Sequence, residues 1–272
     1  MIRRRSSNLF ILIPQAEHAR AAAELVAQVG GIVHLPERAM ELADCLRAQA
    51  TGFAELDATP PLNPTGRPAH FNELSITRQL HAWAAGSTAA QTAGPYAGLL
   101  ASILSLQRSA AIAKGQLTLR ENFEVNRHQQ LEIERQHRLR PAAGLTNDAP
   151  MRNGLPEHSP DLTDVQRHLI YDYRLILLLQ SLVLELCMHQ RIFGDFPPTP
   201  PSPGQDSLAI HFRWIDGEHL SLAPWPFAPT EIAVTITGLA VPAKAYDHEL
   251  ELHEAMASAL RQTLQITLVC EG

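Results

Sequence analysis

The sequence contains few lysines and few charged residues for its length. Only two of its 22 basic residues are lysines, Lys114 and Lys244, and 28 acidic residues give a net charge of −6 with neutral histidines. Proteins that bind nucleic acid carry a basic face and a high pI, whereas the pI here is about 6.1. The one dense basic run, Arg3 to Arg5, is expected at a solvated strand edge. The composition predicts no nucleic-acid partner.

Cysteines and long apolar runs are also scarce. The three cysteines, Cys45, Cys187 and Cys270, lie far apart and form no Cys-x-x-Cys pair, which predicts neither a zinc knuckle nor a disulfide framework. The apolar run 9–13 is too short for a signal peptide, and the run 175–188 is too short to cross a bilayer. We expect a cytoplasmic protein with no membrane partner.

Apolar residues make up 45% of the 272 residues, and a chain of this length can bury a substantial core. A short buried strand is predicted at 9–13. Apolar periodicity then predicts a series of helices separated by segments rich in proline and glycine. These helices are expected at 15–29, 37–51, 73–86, 95–111, 116–140 and 164–192. The last is the most apolar and is predicted to be the central core helix.

The periodicity changes after residues 197–206, a connector with five prolines in its first eight residues. Strands are predicted at 207–214, 219–223, 231–237 and 264–269, with a helix at 246–262. The dipeptide Asp216–Gly217 predicts a hairpin with a two-residue turn. The sequence therefore predicts an α+β fold. Residues 1–196 form a mainly helical body with an N-terminal strand, and residues 207–272 form a small α+β region, with an antiparallel sheet, packed on that body.

Two loops and one charged helix complete the prediction. The segment 57–68 contains four prolines and must wrap over the surface or line a cleft. The segment 141–163 is predicted to be a surface loop, with a mobile lid as the alternative. Acids and bases alternate along the helix at 116–140, which is typical of a solvated helix face. His128 and His137 on this helix are therefore expected to face solvent.

No common catalytic motif is present. The sequence contains no Gly-x-Gly-x-x-Gly, no phosphate-binding loop, no His-Glu-x-x-His and no Gly-x-Ser-x-Gly. The histidines nearest to one another in the chain, His211, His219, His248 and His253, have spacings that fit exposed strands and a polar helix face better than a metal site. These patterns predict no cofactor.

Four blocks of the sequence resemble a known family. They are Gln15-Ala-Glu-His18-Ala, the stretch from Asp57 to Phe71, the stretch from Pro95 to Ser102, and Pro224-Trp-Pro-Phe227. In order and separation they are similar to blocks of bacterial proteins of the domain-of-unknown-function family 3891. The resemblance implies a helical site of HD type, in which histidines, a His-Asp pair and a distant Asp hold one or two metal ions. Such ions polarise a phosphoryl group or activate water or dioxygen.

The sequence departs from that pattern at most of the implied ligand positions. His18 is retained, but His-Asp-x-Gly-Trp is replaced by residues 49–53, Gln-Ala-Thr-Gly-Phe, and Ser-x-His by residues 102–104, Ser-Ile-Leu. Gln180 stands where the pattern has an Asp before Ser-Leu, and Ala223 replaces the Asp before Pro-Trp-Pro-Phe. A site with one remaining ligand cannot compete with water for a metal ion. The resemblance therefore implies a metal site that has lost its ion.

We predict from these changes a non-catalytic binding or partner subunit without metal or cofactor. The candidate pocket consists of Gln15, Glu17, His18, Gln49, Asp57, Arg67, His70 and Gln180. Gln49 and Gln180 are expected to hydrogen-bond a neutral small molecule where the pattern places the metal. A structural role is the competing interpretation for Asp57, as a turn cap, and for Arg67, in a salt bridge. A second protein or an active homologue is the expected partner.

Two alternatives remain open from the sequence. The first is a metal-dependent hydrolase or oxygenase of HD-like type whose ligands have moved to residues such as Asp57, His70 or His81. The second is an interaction module that uses Trp214, Trp225 and Phe227. These aromatic side chains are expected to be packed between sheet and helices.

Overall fold

The computed structural model of the protein describes residues 1–146, 151–152, 154–156 and 162–271. Its helices are α1 (Gln15–Val26), α2 (Ala39–Gln49), α3 (Ala54–Ala58), α4 (Ile76–Ala93), α5 (Pro95–Ile112), α6 (Leu119–Leu139), α7 (Asp164–Met188) and α8 (Glu249–Ala257). Its strands are β1 (Ile2–Ser6), β2 (Leu9–Ile13), β3 (Met151–Arg152), β4 (Leu155–Pro156), β5 (Phe193–Asp195), β6 (His211–Trp214), β7 (His219–Ala223), β8 (Glu231–Pro242) and β9 (Leu260–Cys270). The predicted α+β fold is confirmed.

Seven strands form one sheet in the order β1-β2-β8-β9-β7-β6-β5. It is larger than the predicted C-terminal sheet because β2 pairs antiparallel with β8, with Leu9 opposite Pro242. Four of the five side chains of β2 are buried, and a strand buried on both faces needs a hydrogen-bonded neighbour at each edge. The pair β7–β9 is parallel, contrary to an all-antiparallel sheet. Strands from residues 1–196 and from residues 207–272 share this sheet, so the sheet does not separate the two predicted regions. The division into a body and a C-terminal region stays a prediction.

Local signals in the sequence set several element boundaries. Helix α5 begins with Pro95 directly after Gly94, a position where the missing N–H of proline costs nothing. Helices α6 and α7 each begin with a capping box, formed by Thr118 and Thr163 as N-caps. The hairpin β6–β7 is confirmed, but its turn is longer than predicted. The N–H of Ile215 donates to the carbonyl of His219, so the turn consists of residues 216–218 rather than 216–217.

Helix α7 lies at the centre of the main hydrophobic core, as predicted. Along one stripe of the helix, Leu175, Leu179, Leu182 and Leu186 are all at most 1% exposed, and they share a cluster with side chains of α1, α2, α5 and the sheet. Burying four leucines in this way contributes about 6 to 12 kcal/mol of transfer free energy. The helix therefore provides a fixed frame for the polar side chains that it carries.

The predicted loop at 141–163 and the lengths of the helices complete the description of the fold. The segment 141–163 begins with a 3₁₀ turn at Pro141–Ala143 and contains the two-stranded pair β3–β4. Residues 147–150, 153 and 157–161 of the predicted loop or lid lie outside the described residues. Within the described residues, no helix is both long and apolar enough to cross a membrane.

Candidate functional site

Four polar side chains meet where α1, α2, α5 and α7 approach one another: His18, Gln49, Arg108 and Gln180. We call them the Arg108 cluster. The terminal nitrogen Nη2 of Arg108 donates to Oε1 of Gln180 over 2.9 Å, and Nε2 of Gln180 donates to Oε1 of Gln49 over 3.2 Å. Gln49 in turn lies 3.4 Å from the carbonyl oxygen of Cys45, one turn earlier on α2. The sequence-predicted residues His18, Gln49 and Gln180 are thus brought together.

The hydrogen bonds that join the side chains of Arg108, Gln180 and Gln49 run in one direction, away from Arg108. The guanidinium can only donate, so it fixes Oε1 of Gln180 as an acceptor and turns the amide nitrogen of Gln180 towards Gln49. The amide nitrogen of Gln49 is then turned towards Cys45. One cation therefore orients two amide side chains.

His18 enters the cluster through the backbone of α7. Its Nε2 lies 3.0 Å from the carbonyl oxygen of Gln180, which can only accept, so this nitrogen carries the hydrogen. Burial lowers the pKa of His18 to about 4, the hydrogen bond to Gln180 opposes this shift, and the positive charge of Arg108 adds to it. His18 is therefore a neutral hydrogen-bond donor at neutral pH, held between α1 and α7.

Arg108 carries a positive charge that no carboxylate in the described part of the chain balances by an ion pair. Burial lowers the pKa of Arg108, although the group stays charged at neutral pH. The guanidinium carbon lies 5.9 Å from the ring centre of Trp83, and Tyr173 is close enough to interact with the charge. The environment of Arg108 is thus aromatic and amide-like rather than acidic.

The residues of the cluster do not fit the metal site that the family resemblance implies. One histidine whose Nε2 is already engaged, two neutral amides and one cation make a poor donor set for a divalent ion. The guanidinium would also repel such an ion. Among the residues that the structure describes, no group of three or more His, Cys, Asp or Glu side chains is arranged to hold a metal.

The acidic members of the predicted pocket have other partners. Oδ2 of Asp57 accepts from the backbone N–H of Gln15 over 2.6 Å, and Oδ1 contacts the amino nitrogen of Met1. Burial raises the pKa of Asp57, and the charge of the amino group opposes this. Glu17 binds Arg20 at 3.1 Å and accepts from the backbone N–H of Thr237 at 3.1 Å. These contacts tie the start of α1 to its neighbours.

Arg67 and His70 lie on the proline-rich loop rather than in the cluster. Arg67 is exposed and forms no ion pair with the described residues, so the predicted salt bridge is not found there. His70 is buried, with Nδ1 2.8 Å from Oδ1 of Asn72 and its ring centre 4.5 Å from that of Phe71, the two rings being tilted by 39°. It caps the short turn Phe71–Glu73. The loop is organised by its own hydrogen bonds.

His81, the relocated ligand considered from the sequence, is exposed on α4. It lines a cavity of about 470 Å³ together with His253 and Glu249 of the C-terminal region. Asp57 and His70 do not line this cavity. The three residues proposed as relocated ligands are therefore not gathered into one site.

A second polar region lies between α5 and α6, and it corrects the prediction for His128. This side chain is 6% exposed, with Nε2 2.8 Å from the hydroxyl of Ser105, and burial lowers its pKa to about 4. One turn along α6, Glu132 is 1% exposed and lies 3.2 Å from Nε of Arg135. The prediction was wrong because polar side chains of α6 pack against serines of α5, so hydrophobic periodicity does not mark the contact.

The sequence reasoning overlooked Arg108. It is the only charged residue in the 18 residues of α5, and charged side chains in otherwise buried helices are almost always paired or functional. That isolation is a signal that could have found it. By contrast, the packing expected for the aromatic side chains is confirmed for Trp214 and Phe227, which are 6% and 1% exposed.

Comparison with protein families gives a match over most of the chain. A sequence model described as "Protein of unknown function (DUF3891)" matches residues 1–243. No curated protein and no solved structure matches significantly. The matched range contains every member of the Arg108 cluster.

Proposed function

The chain belongs to the DUF3891 family, and from this premise we propose that it is a non-catalytic binding protein, acting as a ligand-binding or partner subunit. The observation that carries the proposal is the Arg108 cluster. At the positions that the family resemblance assigns to metal ligands, the chain has two amides and a histidine joined by hydrogen bonds, with a guanidinium beside them.

The charge of the cluster supports this function over metal-dependent catalysis. Metal sites of the implied type bring negative carboxylates together, and a divalent cation balances them. Here Ala50 and Gln180 stand where the pattern has aspartates, Gln49 stands where it has a histidine, and the positive charge comes from Arg108. The ligand that suits these groups makes hydrogen bonds instead of coordinating an ion.

The test is the metal content of the protein after expression with added iron, manganese and zinc, followed by desalting and mass spectrometry of the elements. We expect well below one equivalent of each metal. One equivalent or more would contradict the proposal and favour the hydrolase or oxygenase alternative. In that case, loss of the metal in His18→Ala or in His81→Ala would show whether it sits at the cluster or at relocated ligands.

A further inference from the structure

We propose that the Arg108 cluster binds a small organic anion through a carboxylate or phosphate group. This inference rests on the proposed binding function and names the ligand class of the same site. It replaces the neutral ligand that the two glutamines alone would suggest.

The first argument is the unbalanced charge. A guanidinium has five N–H groups, and in the described part of the chain Arg108 uses one of them, in its bond to Gln180. Burying part of a charge without an opposite charge is costly, and this partial burial lowers the pKa of Arg108. A bound anion would supply the missing charge and accept hydrogen bonds from the free edge.

The second argument is preorganisation. Gln180 holds one nitrogen of Arg108, Gln49 holds Gln180, and His18 donates to the backbone of the same residue. A guanidinium fixed in this way keeps a planar fork that matches two oxygens of a carboxylate or phosphate. Little side-chain entropy is then lost on binding.

The third argument is the composition of the surroundings. Tyr173, Leu177 and Gln180 follow one another at helical spacing, so they share a face of α7, and Leu177 and Trp83 both keep part of their surface exposed. The hydroxyl of Tyr173 makes no hydrogen bond with the described residues. Apolar and aromatic surface beside a cation suits an anion with an organic body better than a bare inorganic ion.

The experiment is a calorimetric titration of the whole protein with phenyl phosphate, benzoate, inorganic phosphate and the neutral benzyl alcohol. We expect phenyl phosphate or benzoate to bind more tightly than benzyl alcohol, and inorganic phosphate to bind more weakly than phenyl phosphate. Whichever of phenyl phosphate and benzoate binds more tightly shows whether the site prefers a phosphate or a carboxylate group. Arg108→Gln should raise its Kd about tenfold or more, and Arg108→Lys should raise it less, because lysine keeps the charge without the fork.

Arg67→Gln is the matched control, since it removes the same charge from an exposed position, and its Kd should equal that of the wild type. Gln180→Glu is the second variant, because it places a carboxylate beside Arg108 and should abolish anion binding in a folded protein. Equal Kd values for wild type and Arg108→Gln would overturn the inference. So would binding of benzyl alcohol alone, or of no probe up to about 10 mM. None of these results depends on a bound metal. A bound metal is the result that would overturn the proposed function, so the two failures can be distinguished.

Discussion

The Arg108 cluster and the contact between α5 and α6 are both polar regions within the helical part of the protein, but they balance charge differently. Between α5 and α6, the buried carboxylate of Glu132 lies 3.2 Å from the guanidinium of Arg135. In the cluster, the hydrogen bond that Arg108 makes within the described residues goes to the neutral amide of Gln180. The first region contains its own opposite charge. The second contains no opposite charge paired with Arg108 among the described residues.

The largest expected effect is at the balanced region. Glu132→Ala leaves the guanidinium of Arg135, whose side chain is only 14% exposed, without its carboxylate, and breaking a buried pair in this way costs about 3 kcal/mol. We expect the free energy of unfolding in urea to fall by that amount. A loss below about 1 kcal/mol would show that this pair is screened like a surface pair and would remove the contrast between the regions.

Each region also contains a histidine that is hard to protonate. The pKa values of His18 and His128 are about 4 in the folded protein, below the ordinary 6.5, so the unfolded chain takes up each proton first. Stability is therefore full above pH 6.5 and is lost as the pH falls towards 4, by about 3 kcal/mol for each histidine. Urea unfolding at pH 7 and pH 4 should show a smaller loss in His18→Gln and in His128→Gln than in the wild type.

The same histidines distinguish the regions when an anion is present. The charge of Arg108 contributes to the lowered pKa of His18, and a bound anion would offset it. Saturating phenyl phosphate should raise the pKa of His18 and leave that of His128 unchanged. Both pKa values can be measured by NMR. Equal shifts at both histidines would point to general binding rather than to the cluster.

Gln180→Glu should convert the cluster into a balanced region. The new carboxylate would stand where Oε1 of Gln180 now accepts from Arg108, and we expect a gain of about 1 kcal/mol in the free energy of unfolding at pH 7. The gain should disappear below pH 4, where the carboxylate is protonated. Gln180→Leu is the comparison variant, and it should destabilise the protein because Gln49 and Arg108 both lose a partner.

The smallest effect is expected for Arg108→Gln without ligand. The substitution removes the cost of taking the Arg108 charge out of water, but it also removes the hydrogen bond to Gln180. Because these effects oppose each other, the free energy of unfolding should stay within about 1 kcal/mol of the wild type. Exposed Arg67→Gln should stay within about 0.5 kcal/mol. Strong destabilisation by Arg108→Gln alone would instead assign Arg108 a structural role.

The sequence predicted the elements whose ends carry local signals. Helix α5 was expected at 95–111 and spans Pro95–Ile112, because Gly94 and Pro95 mark its start. Strand β8 was expected at 231–237 but continues to Pro242, since its last residues pair with β2 from the other end of the chain. Such long-range pairing has no local signature, which is why the full sheet could not be predicted.

The candidate site was predictable only in part, for a related reason. The family resemblance pointed to His18, Gln49 and Gln180, and the structure joins these three residues. Arg108 was missed because it lies outside the quoted blocks, although it is the one charge on an apolar helix. Glu132 was assigned to a solvated face because apolar residues are expected to mark the buried face of a helix. Here a polar face of α6 is buried against serines of α5.

The most direct test of the account is an NMR titration that follows the Nε–H signal of Arg108 and the ring signals of His18, first with Mn²⁺ and then with phenyl phosphate. If the guanidinium of Arg108 supplies the positive charge where the family pattern implies a metal ion, equimolar Mn²⁺ should not selectively broaden these signals. Phenyl phosphate should shift both, and Arg67→Gln should behave like the wild type. Selective broadening by Mn²⁺, with no shift on adding phenyl phosphate, would contradict the account.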